Sequence, residues 1–255
     1  MQYLICRVPV SPMRASPSHQ SEMVSQQLFG EESTLLETQG SWFKIQLKYD
    51  GYEAWVTQEH FLPISEEAFL ATNNVLTLDW ISTVDYDGVI MNIPKGSFLK
   101  SFVDGKAVWD KKPIPFSGEI WKPNTAVKDA ETIQKISFPF LNTSYLWGGK
   151  SVFGIDCSGF SQTVFKFLNI PIARDASQQA LQGEVVTSLQ EAKCGDLAFF
   201  DNEEGRITHV GILLNSHQII HSSTRVKIDK IDAEGVISLD TLQRTHHLKS
   251  IKRYF

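Results

Sequence analysis

The sequence predicts an α+β protein in which small β modules precede a larger domain of helices packed on an antiparallel sheet. Three observations carry that expectation. Over roughly the first 120 residues, apolar residues fall in short runs broken by Gly, Pro, Asn and Asp, as in small sheets joined by tight turns. Two later stretches carry apolar residues at helical intervals: Ala126, Val127, Ala130, Ile133 and Ile136 between Thr125 and Phe138, then Phe160, Val164, Phe167 and Leu168 after Cys157. Finally, residues 196–200, 208–214 and 218–223 are apolar, β-branched or aromatic runs with turn-like residues between them.

In chain order, a first β module is expected over residues 1–62. Residues 39–47 and 50–56 form its clearest hairpin, with alternating faces around Asp50-Gly51, and residues 13–18 and 28–31 supply further strand and turn segments. A second module is expected over 63–122, from the β-type runs at 75–78, 88–91 and 97–99 and the turns at 94–96 and 103–106. A third domain, 123–255, opens on the helix predicted for Thr125–Phe138. The polar stretch from Asp201 to Gly205 connects the first two strands of its sheet, and Asn215-Ser216-His217 is short enough to be a hairpin turn. Trp42, Trp55, Trp80, Trp109 and Trp121 read as core or hairpin packing.

Composition restricts the partners. At 42% hydrophobic and 21% charged, with a formal net charge of −5, the chain is an ordered protein without the basic clusters that bind phosphate backbones, so no nucleic acid is expected. Nothing approaches the apolar length of a membrane span. The start, Tyr3 to Val10, is interrupted by Arg7 and lacks a basic beginning and a small-residue cleavage site, which leads to an expectation of a cytoplasmic protein. The odd count of three cysteines, Cys6, Cys157 and Cys194, without metal-type spacing, suits a reducing compartment.

Cys157 sits where a loop becomes a helix. Unpaired backbone N–H groups and the positive end of the helix dipole favour an ionised sulfur there, so a thiolate is expected. Adjacent antiparallel strands would bring His209 and His221 together, giving a nucleophile, a base and an orienting group in that order. Zinc on Cys157, His209 and His221 is chemically allowed, but no further ligand pair is evident, so neither metal nor cofactor is expected. His246 and His247 read as surface residues, and His19 and His60 as structural or solvated.

Six motifs in order extend the pattern: Tyr145-Leu146-Trp147-Gly148-Gly149, Asp156-Cys157-Ser158-Gly159-Phe160, Arg174-Asp175-Ala176-Ser177-Gln178-Gln179, Gly195-Asp196-Leu197-Ala198-Phe199-Phe200, His209-Val210-Gly211-Ile212 and Ile220-His221-Ser222-Ser223. Residues 123–255 thereby resemble the NlpC-type cysteine peptidases, bacterial enzymes that cut peptidoglycan peptides on a papain-like core. Val152 and Cys194 stand where that family commonly has proline. The first two modules resemble bacterial SH3-like barrels, the second one diverged. The resemblance implies hydrolysis of a γ-D-glutamyl bond to a diamino acid, diaminopimelate or lysine, in a murein stem peptide. Asp156, Ser158, Asp175 and Ser177 lie in the matching motifs as candidates to grip it. SH3-like modules ahead of the peptidase resemble the endopeptidases of murein recycling, in which a barrel narrows the cleft and a free N-terminal L-Ala is required. Glu22 and Tyr52 are the candidates for its ammonium group, and a monomer is expected. A wall hydrolase of broader range, a papain-like amidase or acyltransferase, and a non-catalytic wall-binding protein are the alternatives.

Overall fold

In the computed structural model, residues 1–72 and 75–255 are described; positions 73 and 74, within the expected second module, lie outside the description. The chain divides into two compact units, residues 1–125 with 147–152, and residues 126–146 with 153–255.

The first unit begins with a seven-stranded antiparallel sheet in the order Met23–Leu28, Val10–Arg14, Glu53–Thr57, Trp42–Leu47, Glu32–Gln39, Gln2–Cys6, Phe61–Ile64. The hairpin expected around Asp50-Gly51 is present, with Phe43 opposite Val56 and Ile45 opposite Ala54. All four of these side chains face one core with Leu4, Cys6 and Met13. Asp50 Oδ1 accepts the Tyr52 N–H at 3.0 Å, and Gly51 takes φ +74°, a conformation that glycine adopts without steric cost.

Residues 75–121 add a four-stranded sheet, Val89–Pro94, Ile81–Tyr86, Lys112–Ser117, Lys106–Trp109, and a three-stranded one, Phe98–Leu99, Val75–Thr77, Ile120–Trp121. They enclose a second core of Val84, Ile93, Leu99, Ala107, Trp109 and Ile114, which Ile5 and Phe29 also enter. Trp42 and Trp109 are buried as expected, but Trp80 is 41% exposed. It lies in the bend between two strands rather than on a strand face.

In the second unit, helix α1 is Ala130–Ser137 and helix α2 is Cys157–Phe167. The first starts later than Thr125 because Asp129 caps it, its carboxylate accepting the Thr132 N–H at 2.8 Å. The second starts at Cys157, as its apolar spacing predicts, yet all eleven of its residues are buried, not one face. Its polar side chains find partners inside: Ser161 Oγ donates to the Cys157 carbonyl and Gln162 Nε2 to that of Ile172.

Six strands follow: β1 (Leu197–Asp201), β2 (Ile207–Asn215), β3 (Gln218–Ser223), β4 (Arg225–Asp232), β5 (Gly235–Ile237) and β6 (Arg244–Arg253). Their order is β6-β1-β2-β3-β4-β5, with the short strand Glu184–Val186 outside β6, and β5 also pairs with β6. The expected antiparallel sheet with a helix packed on it is present, and the α+β expectation holds in part. The sheet closes into a six-stranded barrel, and the unit is richer in strand than α+β suggests. Gly235 permits the closure, since a Cβ there would lie 1.8 Å from the His246 carbonyl oxygen.

Candidate active site

Helix α2 packs on β2 and β3, which brings the start of the helix to the strands that carry the two histidines. The buried Cys157 sulfur is faced by the backbone N–H groups of Ser158 and of Val210, the residue after His209. His209 Nε2 lies 2.8 Å from His221 Nδ1. His221 Nε2 in turn lies 3.0 Å from Asp229 Oδ2, on the neighbouring strand β4. Asp229 Oδ1 accepts the Leu239 N–H at 2.8 Å, and Lys227 Nζ stands 3.1 Å from Oδ2. The line His209, His221, Asp229 thus runs across three strands, beside the start of the helix that carries Cys157.

Gly211 makes room for this line. A Cβ there would lie 2.8 Å from the His221 Cβ and 2.6 Å from Ile219 Cδ1, so any larger residue would push the His221 strand face away.

Electrostatics correct the expectation of a resting thiolate. Burial pushes the Cys157 thiol up to about 12, Asp156 pushes the same way, and the Val210 and Ser158 N–H groups only partly oppose them. Desolvation therefore outweighs the helix terminus. His209 is held well below the ordinary histidine value by burial, then by His221 and His246. His221 is lowered by burial, with Asp229 opposing. Burial raises Asp229, but the bonds from His221, the Leu239 N–H and Lys227 outweigh it and leave the carboxyl at about 2. At neutral pH the site therefore holds a thiol, two neutral imidazoles and a carboxylate.

Those protonation states fix the tautomers. The Asp229 carboxylate only accepts, so His221 Nε2 carries the proton and its Nδ1 is a lone pair. His209 Nε2–H then donates to that lone pair, which leaves His209 Nδ1 free to take a proton.

Asp156 and Ser158 are adjacent to the thiol and tied to each other. Asp156 caps α2 through the Gly159 N–H at 2.6 Å and receives both terminal nitrogens of the fully buried Arg174, at 3.1 and 2.6 Å. Arg174 Nη1 also donates to Ser158 Oγ at 2.8 Å. Asp175 is half-buried and Ser177 exposed, both at the short helical turn Ala176–Gln179. Glu22 and Tyr52 belong to the first unit. There Glu22 Oε1 accepts the Trp147 indole N–H at 2.7 Å, and Tyr52 packs beside the first core.

Four participants were not singled out from the sequence. Lys227 and Asp229 fall on β4, beyond the strands and motifs read from the sequence. Arg174 sits in a quoted motif, but its burial has no sequence signature. His246, expected at the surface, instead stacks on His209 with ring centroids 4.1 Å apart and planes 24° apart. Closure of the barrel carries it inward. Tyr145 is also close, its phenol raised first by burial and then by the neighbouring Cys157 and Asp156.

His209, His221 and His246 could offer a metal ion one nitrogen each, all within 4.8 Å of one another.

The NlpC/P60 family profile matches residues 142–245, spanning Cys157, His209 and His221, and a bacterial dipeptidyl-peptidase SH3 domain matches residues 13–61. A γ-D-glutamyl-L-lysine dipeptidyl-peptidase of Bacillus subtilis is 32% identical over 223 residues, 78% of this chain and 71% of that protein. The chain belongs to the NlpC/P60 family. A second protein of that description, from Bacillus cereus, is 25% identical over 85% of this chain and 73% of its own length. The crystal structure of an NlpC/P60 family protein from Bacillus cereus superposes with a TM-score of 0.84 over 99% of both chains at 19% identity, a likeness of fold. With this family, and relatives named as peptidases over two thirds of their length, the chain is a hydrolase of the peptidase class carrying an SH3-like domain. Among the described residues, no helix is long and apolar enough to cross a membrane.

Proposed function

We propose that this NlpC/P60 peptidase is a cysteine endopeptidase that hydrolyses the γ-D-glutamyl bond to a diamino acid in murein stem peptides with a free N-terminal L-Ala, in the recycling of such fragments. The observation that carries the reading is the His209–His221–Asp229 line beside Cys157, with a base-competent nitrogen left on His209. Relatives named γ-D-glutamyl-L-lysine dipeptidyl-peptidases support the bond, and the matched SH3 domain supports the class of small substrate. The same reading divides the chain into SH3-like modules at 1–62 and 63–122 and a peptidase domain at 123–255.

In the proposed reaction His209 Nδ1 takes the Cys157 proton as the sulfur attacks the amide carbonyl. Because the resting pair is neutral, proton transfer and attack are coupled, and the imidazolium that forms is stabilised through His221 by the Asp229 carboxylate. The Ser158 backbone N–H, beside the sulfur, is placed to bind the oxyanion; one such donor is worth roughly 3 kcal/mol. His209 then protonates the leaving amine, and water releases the acyl half from the thioester. Arg174 holds Asp156 and Ser158, and so the start of α2, in place. Asp156, Ser158, Asp175 and Ser177 are the proposed gripping residues in the peptidase domain, and Glu22 and Tyr52 those for the ammonium group.

The test is incubation with L-Ala-γ-D-Glu-diaminopimelate and its lysine counterpart, with mass spectrometry of the products. Free L-Ala-γ-D-Glu and diamino acid are expected from the wild type and neither from Cys157→Ala. Uncleaved peptides beside an active amidase or acyltransferase would overturn the assignment.

A further inference from the structure

We propose that His246 is a positioning residue for the reaction: its imidazole, laid face to face on that of His209, holds the base in the plane that joins the Cys157 sulfur to His221. The proposal deepens the cysteine-peptidase reading of the same site and rests on it. His209 has one side-chain hydrogen bond described, at Nε2 to His221. A single bond fixes one point of the ring and not its plane, and the plane sets where Nδ1 is directed. Packing has to remove this freedom.

The walls are in place. His246 covers one face of His209 at 4.1 Å, His221 meets it edge-on at 5.1 Å and 77°, and Phe200 stands at 5.6 Å. Phe200 also touches His246, at 5.7 Å, so the four rings form one block. His246 is itself fixed. Its Nδ1 lies 2.9 Å from Thr245 Oγ1, and its backbone stands opposite Val236 at the β5–β6 junction that closes the barrel.

Stacking of this kind suits neutral rings. The charged or titratable groups around the pair are Cys157 from α2, His221 from β3, Asp229 and Lys227 from β4, and His247 on β6 beside His246. Burial first, then His221 and Lys227, lowers His246 to about 4, so both stacked rings are uncharged at neutral pH. A charged partner would repel the imidazolium that His209 must become.

The experiment compares the full chain with His246→Ala and His246→Phe, reading turnover of L-Ala-γ-D-Glu-diaminopimelate against pH and the titration of the His209 ring by NMR. The alanine variant is expected to lose about tenfold in kcat with KM moved less than about twofold. In it, His209 should titrate nearer to ordinary histidine as water reaches the uncovered face. Phenylalanine restores a flat ring without a titrating group, and is expected to recover most of the turnover and the wild-type His209 titration. Wild-type kcat and titration in His246→Ala, or a phenylalanine variant no better than the alanine one, would overturn the proposal. If wild-type protein leaves this peptide intact, the substrate reading fails, while the His209 titration still decides the role of His246.

Discussion

Replacing Asp229 by alanine tests how far the candidate site extends beyond the three residues legible in the sequence. The Asp229 carboxylate is ionised at any pH above about 2 and accepts from His221 Nε2 at 3.0 Å in a buried setting. A hydrogen bond to a charged group is worth about 1.5–3 kcal/mol. In this site that energy is the preference for the His221 tautomer that leaves His209 Nδ1 unprotonated. At 1.36 kcal/mol per decade, losing it corresponds to about a 10- to 150-fold smaller share of the competent tautomer. Asp229→Ala should therefore lower kcat roughly 10- to 100-fold and leave KM nearly unchanged, because the carboxylate lies behind two imidazoles. It also strips the Leu239 N–H and Lys227 of a partner, so about 2 kcal/mol of stability should go with it. Steady-state release of the dipeptide, with a thermal melt to establish folding, gives both numbers. A folded variant turning over within about twofold of wild type would refute the tautomer argument.

Acid should weaken the fold. His209, His221 and His246 are all held neutral by burial, so the stability they contribute is complete above the unfolded value near 6.5 and is lost as pH falls through the folded values, about 4 for His246. Urea midpoints should fall between about pH 7 and pH 5, and equal midpoints would contradict this. Alkylation of Cys157 by iodoacetamide should accelerate steadily with pH above neutrality, because the thiol is pushed up to about 12; a pH-independent plateau in mild acid would mean a resting thiolate–imidazolium pair instead. Gly211→Ala should cost about 1–3 kcal/mol and most of the turnover, since the new Cβ meets the His221 Cβ at 2.8 Å; a wild-type melt and rate would show that β3 yields freely.

Local pattern carried much of the fold. Apolar spacing locates helix α2 at Cys157, and alternation with a short polar turn locates the β2–β3 pair, because both are short-range features. Closure of the barrel was not legible. It depends on Gly235 meeting a carbonyl of β6, a contact between residues whose pairing no local period reveals. The same closure turns His246 from an expected surface residue into a neighbour of His209. Asp229 was hidden for a related reason: a buried carboxylate on an alternating strand looks like a solvent-facing one until its partner strand is known. The state of the thiol is not legible either: a helix terminus can be read from sequence, whereas the desolvation that opposes it is set by packing around all of α2.

The most direct test of the proposed function compares two peptides, L-Ala-γ-D-Glu-diaminopimelate and the same peptide acetylated on the alanine nitrogen. Acetylation removes the ammonium charge that the Glu22 and Tyr52 candidates would receive and adds bulk beyond it. Rapid release of L-Ala-γ-D-Glu from the free peptide and at least about a hundredfold slower cleavage of the acetylated one is the expected result. Equal rates on the two, or efficient digestion of intact sacculi, would contradict it and leave a wall hydrolase of broader range.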